Sequence, residues 1–184
     1  AEAEASLKKA AELDPKSSAA LIMLAEFYQS QQRTAEAEQY YQKAVQVDSQ
    51  KLGPRVMLAR FYLSQNKRPE AEQVVVQAKK DLSNDPQAYR ALADFYVSVG
   101  EVDKALTEFS ELYKDHPKDN TLARSYAELL LNRRKFDDAN KVLNDILDRN
   151  KKDVEATILQ GRLQIAQGKP QDAINTLQSA LKTE

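Results

Sequence analysis

The sequence contains no cysteine, and His116 is the only histidine among its 184 residues. Without cysteine the chain forms neither disulfides nor zinc–thiolate sites, although this absence does not distinguish the cytoplasm from the periplasm. A catalytic histidine needs a nucleophile or an orienting partner beside it. His116 precedes Pro117 in a turn with no recognisable catalytic partner near it in sequence, so we interpret it as a solvent-exposed turn residue and not as a base.

Neither sign of charge dominates, and no long apolar run is present. The 27 Lys and Arg residues nearly balance 28 Asp and Glu residues, which gives a net charge of -1. This balance argues against a nucleic-acid partner. The longest purely apolar run, Ala19–Ala25, is far shorter than the ~20 residues that a membrane-spanning helix needs. No charged-then-apolar leader opens the sequence. We therefore expect no direct membrane insertion, and the localisation stays open.

Enzyme motifs are also missing. The sequence has no glycine-rich phosphate loop and no H-E-x-x-H motif. The acidic pair Asp137-Asp138 is better explained as the polar start of a helix than as a metal site. These observations predict that the protein is not an enzyme and that it carries no cofactor and no catalytic or structural metal.

A five-residue stretch recurs at a constant spacing along the chain. Residues 24–28 read L-A-E-F-Y, residues 58–62 read L-A-R-F-Y, and residues 92–96 read L-A-D-F-Y. Residues 126–130 and, more weakly, 160–164 continue the series. A fixed period of about 34 residues indicates an array of structural repeats, each of which packs mainly on its neighbours.

The composition and the periodicity both favour helices. Glycine and proline are rare, with 4 and 6 copies, whereas alanine is abundant. The residues Leu21, Leu24, Ala25 and Tyr28 form one buried helical stripe. A helix starts at Ser17 or Ser18, since serine is a good N-cap. We predict helices near 1–13, 18–31, 34–47, 53–65, 69–82, 86–99, 102–115, 120–133, 136–149, 154–167 and 170–182.

Small residues hold two fixed places in each repeat. A small side chain lets two helix backbones approach closely, and a larger one should overpack the contact at a cost of ~1–3 kcal/mol. The eighth position carries Ala25, Ala59, Ala93, Ala127 and Gly161, and the twentieth carries Ala37, Ala71, Ala105, Ala139 and Ala173.

With these residues in place, the chain resembles a tetratricopeptide repeat (TPR) array of bacterial type. The helix-turn-helix unit of that family has a small residue at positions 8 and 20, Tyr at 11, Gly at 15 and Pro at 32. Residues 86–119 match with Tyr96, Gly100, Ala105 and Pro117. The resemblance implies an all-α fold, a right-handed α-α superhelix or solenoid. The expected units are residues 1–17, as the second helix of a partial repeat, then 18–51, 52–85, 86–119, 120–153 and 154–184.

Some positions depart from the family pattern. Arg55 stands where a large apolar residue is usual, and we expect its stem to pack while its head reaches water. Gln160 and Gln164 place amides on the normally buried stripe of the last unit, either because this unit is a solvated cap or because the array continues. Three turns lack the usual glycine and carry Gln32, Asn66 and Arg134.

The resemblance also implies a function, because TPR arrays bind segments of other proteins on the concave face that the first helix of each unit lines. Fold alone does not give the partner. The spacing of these positions is helical, so each set forms one face. The candidate partner-binding residues are Ile22, Glu26, Val56, Arg60, Leu63, Arg90, Asp94, Arg124, Glu128 and Arg162.

Two features of this face allow two interpretations each. The first feature is a set of apolar side chains, given at the end of this paragraph, which either form a ligand groove or are partly covered by neighbouring helices. The charges are either a recognition stripe or a ladder of i,i+4 pairs, Arg90 with Asp94 and Arg124 with Glu128. Binding of acidic chaperone tails, a specificity of some TPR arrays, is disfavoured, because Glu26 would repel a carboxylate. The apolar set is Ile22, Met23, Val56, Met57 and Leu63.

A different class of function is a structural spacer. The sequence opens and closes on a second helix, so we expect a segment of a longer protein whose exposed ends could stack on another copy. The second hypothesis is therefore end-to-end self-assembly into a homo-oligomer, without a specific groove ligand. An RNA-binding helical repeat is disfavoured, because the charges of the concave face alternate in sign.

Overall fold

The computed structural model of the protein describes residues 2–181, with side chains as far as Ser179. Over this range every regular element is an α-helix, joined to the next by a short turn, and none is a strand. Within the described residues, each helix begins and ends within one residue of its predicted bounds. The helices are α1 (Glu2–Leu13), α2 (Ser18–Ser30), α3 (Thr34–Val47), α4 (Leu52–Ser64), α5 (Arg68–Asp81), α6 (Pro86–Ser98), α7 (Val102–Asp115), α8 (Asn120–Asn132), α9 (Phe136–Arg149), α10 (Val154–Ala166) and α11 (Pro170–Leu181).

The chain forms two compact units, one up to Phe95 and one from Tyr96, whose sequence boundary lies inside α6. In the first unit α2 packs against α1, α3 and α4, and α4 also packs against α3 and α5. In the second unit α8 packs against α7, α9 and α10, and α10 also packs against α9 and α11. Short turns produce such packing between consecutive helices, and the all-α repeat fold expected from the sequence is confirmed.

The core of each unit follows the predicted stripes. On α2 the buried side chains are Leu21, Leu24, Ala25 and Tyr28. Small residues occupy the close contacts, and at Gly161 an added Cβ would stand 3.2 Å from the Leu177 side chain. A methyl group there would need Leu177 to move, which explains why this repeat carries glycine instead of alanine at its eighth position. The alanines of both predicted positions are buried: Ala25, Ala37, Ala59, Ala71, Ala93, Ala105, Ala127, Ala139 and Ala173.

Each turn within a repeat ends its first helix in the same way. The residue two places after the helix adopts a left-handed conformation, and the next N–H donates back five residues, as from Arg33 N to Tyr28 O at 2.9 Å. This pattern is the Schellman closure, for which glycine is the usual residue. Three of the five turns place a residue with a side chain there, at a conformational cost. The φ angles are 59° at Gln32, 58° at Asn66, 77° at Gly100, 57° at Arg134 and 75° at Gly168.

The N-terminal caps differ from the expectation at Ser17, whose side chain makes no capping hydrogen bond. Aspartates cap two later helices. The carboxylate of Asp119 accepts from Leu122 N at 3.0 Å, and that of Asp153 accepts from Ala156 N at 3.0 Å. A carboxylate at this position satisfies an N–H that the helix leaves unpaired and also interacts favourably with the helix dipole.

A polar cluster ties α1 to the α2–α3 turn. Tyr28 Oη donates to Glu4 Oε1 at 2.8 Å, and Arg33 Nη1 donates to Glu4 Oε2 at 3.1 Å. Lys8 Nζ lies 2.8 Å from Glu4 Oε1. The hydrogen bonds from Lys8 and Tyr28, with the nearby charge of Arg33, lower the pKa of Glu4 to about 2. The carboxylate is therefore held ionised by its neighbours on three different segments.

The same tyrosine–glutamate tie recurs one repeat later. Tyr62 Oη donates to Glu38 Oε1 at 3.0 Å, and Lys67 Nζ donates to Glu38 Oε2 at 3.0 Å. Glu38 stands at the repeat position of Glu4, and Tyr62 stands at that of Tyr28. The sequence period thus repeats a charge-assisted contact between successive repeats, in addition to the apolar stripe.

Arg55 corrects one expectation, because its head does not reach water. The residue is only 6% exposed. Its guanidinium lies 2.7 Å from Asp81 Oδ2 and donates to Ser49 O at 2.9 Å. Desolvation of a charge is costly unless it is paired and hydrogen-bonded. Asp81 and the Ser49 carbonyl supply partners for Nη2, so the charge of the arginine is paired, whereas Nε is buried without a hydrogen-bond partner among the described residues.

Gln160 and Gln164 likewise do not form a solvated cap, because the oxygen atoms of both amides are buried. Gln160 Nε2 donates to Asn140 Oδ1 of α9 at 3.0 Å. Neither glutamine oxygen has a hydrogen-bond donor among the described residues. Leu159 and Leu163 supply buried apolar packing on α10, as expected. The last repeat therefore contains a polar contact between helices in which only Asn140 occupies the repeat position of Glu4 and Glu38.

The left-handed turns give a test of backbone strain. We expect Gln32→Gly to stabilise the protein by about 0.5–1 kcal/mol, because it removes a Cβ from a left-handed residue. Gly100→Ala should destabilise by about 1 kcal/mol, and the added Cβ has no atom within 4 Å, so the cost is conformational. Urea unfolding followed by circular dichroism measures both. Gln31→Gly, one residue earlier at a φ of -88°, is the control and should destabilise. A loss of stability in Gln32→Gly would contradict the argument.

The tie at Glu4 gives a test of pH dependence. A carboxyl group whose folded-state pKa is depressed stabilises above its unfolded value, and this contribution is lost as the pH falls through the folded value. Hydrogen exchange of α1 should therefore be faster in Glu4→Gln than in the wild type at pH 6, and the two should converge as the pH falls from about 4.5 towards about 2. Glu12→Gln, an exposed change on the same helix, is the control. A constant difference over this range would refute the role of Glu4.

Candidate functional site

The first helices of the repeats in the first unit carry the apolar residues proposed for binding. Ile22 on α2 and Val56 and Leu63 on α4 are each half-buried, and the two helices pack against each other. Gln29 Nε2 donates to Ser64 Oγ at 3.2 Å across this contact. The neighbouring helices thus cover part of each side chain and leave the rest accessible. We call the surface of α2 and α4 with these side chains the α2/α4 face.

The charges of the first unit are only partly neutralised by their own neighbours. Arg90 Nη2 lies 3.8 Å from Asp94 Oδ2, which agrees with the predicted i,i+4 pair. The Asp94 side chain is about half-exposed, and partial desolvation of its carboxylate raises its pKa, which the Arg90 charge opposes. Glu26 and Arg60 are exposed, and neither has a described ion pair or hydrogen bond. These two charges remain available to a ligand. Arg90 and Asp94 form only a long ion pair, and Arg90 Nε is buried without a hydrogen-bond partner among the described residues.

In the second unit Arg124 is committed to the fold. Arg124 Nη1 lies 2.7 Å from Asp153 Oδ2, and its Nε lies 2.8 Å from Glu155 Oε2. The Asp153 side chain is only 5% exposed and also caps α10. The predicted pair of Arg124 with Glu128 is therefore wrong, because Arg124 reaches across to α10 instead of along its own helix.

Glu128 pairs with Arg162, which stands at the same position of the next repeat. Arg162 Nη1 donates to Glu128 Oε1 at 2.7 Å, and both side chains are about half-exposed. The pair connects α8 with α10 on the solvent side of the contact between these helices. An exposed pair of this kind contributes little to stability, ~0.2–1 kcal/mol, and can be rearranged by a ligand at low cost.

Two open cavities lie on either side of Arg162. The first, of about 340 Å³, lies between α8 and α10 and is lined by Arg124, Glu128, Glu155, Ile158 and Arg162 among others. The second, of about 430 Å³, lies where the α8–α9 turn approaches the C-terminal half of α10. We call this second cavity the rim pocket. Its lining consists of Leu131, Asn132, Arg134, Phe136, Arg162, Ile165 and Ala166.

Two apolar residues of α10 were not among the predicted site residues. Ile158 is 48% exposed and Ile165 is 59% exposed. The sequence did carry a signal for them, since Ile158 lies at the repeat position of Ile22 and Val56, and Ile165 at that of Leu63.

His116 is half-buried instead of exposed, and its backbone N–H donates to Leu112 O at 2.8 Å where α7 ends.

Over the residues that the structure describes, no group of three or more His, Cys, Asp or Glu side chains could hold a metal ion. The described helices include none that is long and apolar enough to cross a membrane.

Comparison with known families and structures identifies the repeats. The family profile described as tetratricopeptide repeat matches residues 1–43 and 29–95, which together exceed half of the chain. A second profile, described as subunit 3 of the anaphase-promoting complex or cyclosome, matches residues 98–180. No curated protein is significantly similar to the chain in sequence.

Solved structures share the fold at low identity. The chain is similar to YrrB, a TPR protein with an unusual peptide-binding site, at 17% identity over 96% of this chain and 91% of that chain, with a TM-score of 0.57. It is similar to PilF of Pseudomonas aeruginosa at 22% identity over 95% and 80%, with a TM-score of 0.56. It also matches yeast Tom70 at 20% identity with a TM-score of 0.67, covering 98% of this chain but only 39% of Tom70. At these identities the likeness establishes the fold alone.

The two arginines of the second unit should differ in their effect on stability. Arg124→Gln removes a charged hydrogen bond to the buried Asp153 and should destabilise by roughly 1.5–3 kcal/mol. Arg162→Gln removes only an exposed pair and should cost less than about 1 kcal/mol. Urea unfolding, with hydrogen exchange of α10 to localise the effect, measures both. If both variants lost the same free energy of unfolding, the burial of Asp153 would not strengthen its pair with Arg124.

Proposed function

The chain belongs to the tetratricopeptide repeat family, and we propose that it binds an extended or helical segment of a partner protein on the first-helix surfaces of its repeats. Repeats of this family generally act as non-catalytic interaction modules. The proposed function needs no reacting group and no cofactor. The partner is a protein or peptide, not a nucleic acid.

The observation that carries the proposal is the α2/α4 face. It presents three half-accessible apolar side chains, Ile22, Val56 and Leu63, next to two charges, Glu26 and Arg60, that have no described partner. Apolar surface with a few unsatisfied charges is typical of an interface that is completed by a ligand. Of the other candidate residues, Asp94, Glu128 and Arg162 are exposed enough to be contacted, whereas Arg90 and Arg124 would mainly position their neighbours.

The peptide-binding site of YrrB supports the class of ligand, since that protein has a similar fold. The identity is too low to transfer the position of the site. The argument for the α2/α4 face therefore rests on the exposure and charges of this chain alone.

The second candidate is self-association through the repeat ends. Leu13 at the end of α1 is 77% exposed, and Ile174 on α11 is about half-exposed. These apolar residues on α1 and α11 would be covered if copies stacked through these two helices. Light scattering over a concentration series distinguishes the candidates, because stacking predicts a mass that grows with concentration and groove binding predicts a constant mass.

The first experiment is affinity capture with the wild type and the Val56→Glu/Leu63→Glu variant. A partner that contacts the α2/α4 face should be retained by the wild type and lost, or weakened at least about tenfold, in the variant, because two charges must be desolvated on binding. The captured protein is identified by mass spectrometry, then purified and titrated. Matched helicity by circular dichroism shows that the variant is folded.

The matched control is Val47→Glu/Val154→Glu, which introduces two glutamates at exposed positions outside the α2/α4 face. It should capture the partner like the wild type. Loss of the partner from the control together with retention by the face variant would contradict the proposal. Arg60→Glu is a second test that leaves the packing unchanged, since this side chain is exposed. Equal capture by the wild type and both face variants would refute the proposal.

A further inference from the structure

The rim pocket combines positive charge with an apolar floor. Its charged lining residues are Arg134 and Arg162, and no carboxylate lines it. Leu131, Phe136 and Ile165 supply apolar surface. Its volume of about 430 Å³ is enough for one or two side chains but not for a folded element. The pocket is therefore shaped for a short piece of chain that offers both an anionic and an apolar group.

The two guanidinium groups are held in place by different contacts. The Arg134 guanidinium lies over the Phe136 ring at 5.9 Å from its centroid, a cation–π geometry. Arg162 uses Nη1 for Glu128, and this is its only described ion pair. Nε and Nη2 of Arg162 thus remain to donate to a second carboxylate, for which the fork of arginine is well suited.

The apolar part of the pocket is unusually open. Ile165 is 59% exposed on α10, whereas Leu131, at the same repeat position on α8, is only 7% exposed. The family pattern alone therefore does not determine the exposure of this position. Covering the exposed isoleucine beside the two arginines would remove apolar surface from water, which favours binding of an apolar group there.

The charges around the pocket favour a peptide over a polyanion. Beyond Arg162, the neighbouring cavity is lined by Glu128 and Glu155, so a phosphate chain that continued across α8 and α10 would meet two carboxylates. Nucleic-acid binding instead requires a row of basic residues that neutralises successive phosphates. A single carboxylate next to an apolar side chain satisfies the rim pocket without approaching those acids.

We propose that the rim pocket binds a partner segment in which a carboxylate side chain adjoins a bulky apolar side chain. The carboxylate lies between Arg134 and Arg162, and the apolar side chain covers Ile165 and the edge of Phe136. This inference rests on the proposed function, since it names the chemistry of the partner at one place in the second unit. Of the residues it uses, Arg134 and Phe136 were not assigned to binding by the sequence analysis.

The test is an NMR titration of the full chain with short blocked peptides as probes. The probe acetyl-Gly-Ser-Glu-Leu-Ser-Gly-amide should shift the Ile165 methyl signals and the Nε–H signals of Arg134 and Arg162. The same peptide with Gln in place of Glu, or with Gly in place of Leu, should bind at least about tenfold more weakly, because each lacks one of the two groups. Affinity for the first probe should fall with added salt.

Variants localise the contact. Arg134→Gln/Arg162→Gln should abolish the difference between the Glu and Gln peptides, and Ile165→Gln should weaken both peptides while leaving that difference intact. The control Arg133→Gln/Arg149→Gln removes the same charge from exposed arginines of the second unit that do not line the pocket, and it should bind like the wild type. Circular dichroism verifies the fold of each variant.

Two outcomes would overturn the assignment. The first is equal binding of the Glu and Gln peptides by the wild type. The second is tighter binding of a ten-nucleotide oligouridylate than of the peptide, lost in Arg134→Gln/Arg162→Gln, which would make the pocket a polyanion site. Either result leaves the capture experiment at Val56 and Leu63 unaffected, so failure of the rim pocket and failure of the proposed function are separately detectable.

Discussion

The close approach of the two helices in each repeat is the constraint on which the rest of the structure depends. It requires a small residue on each helix at the contact, such as Ala25 on α2 and Ala37 on α3, both fully buried. At Gly161 even a methyl group would come within 3.2 Å of Leu177. Because this contact and its apolar stripe fix the helices, the remaining surface of each first helix is free to vary. Candidate binding residues such as Glu26 and Arg60 lie on that surface.

Much of the fold could be predicted because the same local rules act at the same positions of every repeat. The period located the helices, and five turns with a left-handed residue follow from the same register, with or without glycine. The misassigned side chains were all polar. Arg55 pairs with Asp81, and Arg124 pairs with Asp153, 29 residues away in sequence. Helical periodicity identifies neighbours three or four residues apart. It contains no information on which side chain of the next repeat is within reach.

The candidate site was less predictable than the fold, because exposure depends on how far a neighbouring helix covers a position. Leu131 and Ile165 occupy the same place in successive repeats, yet the first is buried and the second is mostly exposed. Arg124 and Arg162 are likewise both surface positions of first helices, but only Arg162 remains accessible. The sequence could thus identify the helical face that is available for binding. The residues that a ligand can reach depend on contacts between repeats.

The pairing of Arg162 with Glu128 bears on specificity as well as on stability. An unpaired arginine would attract any anion, whereas one that already has a carboxylate on Nη1 gains less from a second charge alone. A ligand must therefore add another favourable contribution, and the exposed Ile165 and the Arg134–Phe136 stack offer it as apolar surface. Glu128 also repels an anion that extends towards α8. The exposed ion pair thereby favours ligands that offer both a carboxylate and an apolar group. A basic patch without such a pair would bind any anion.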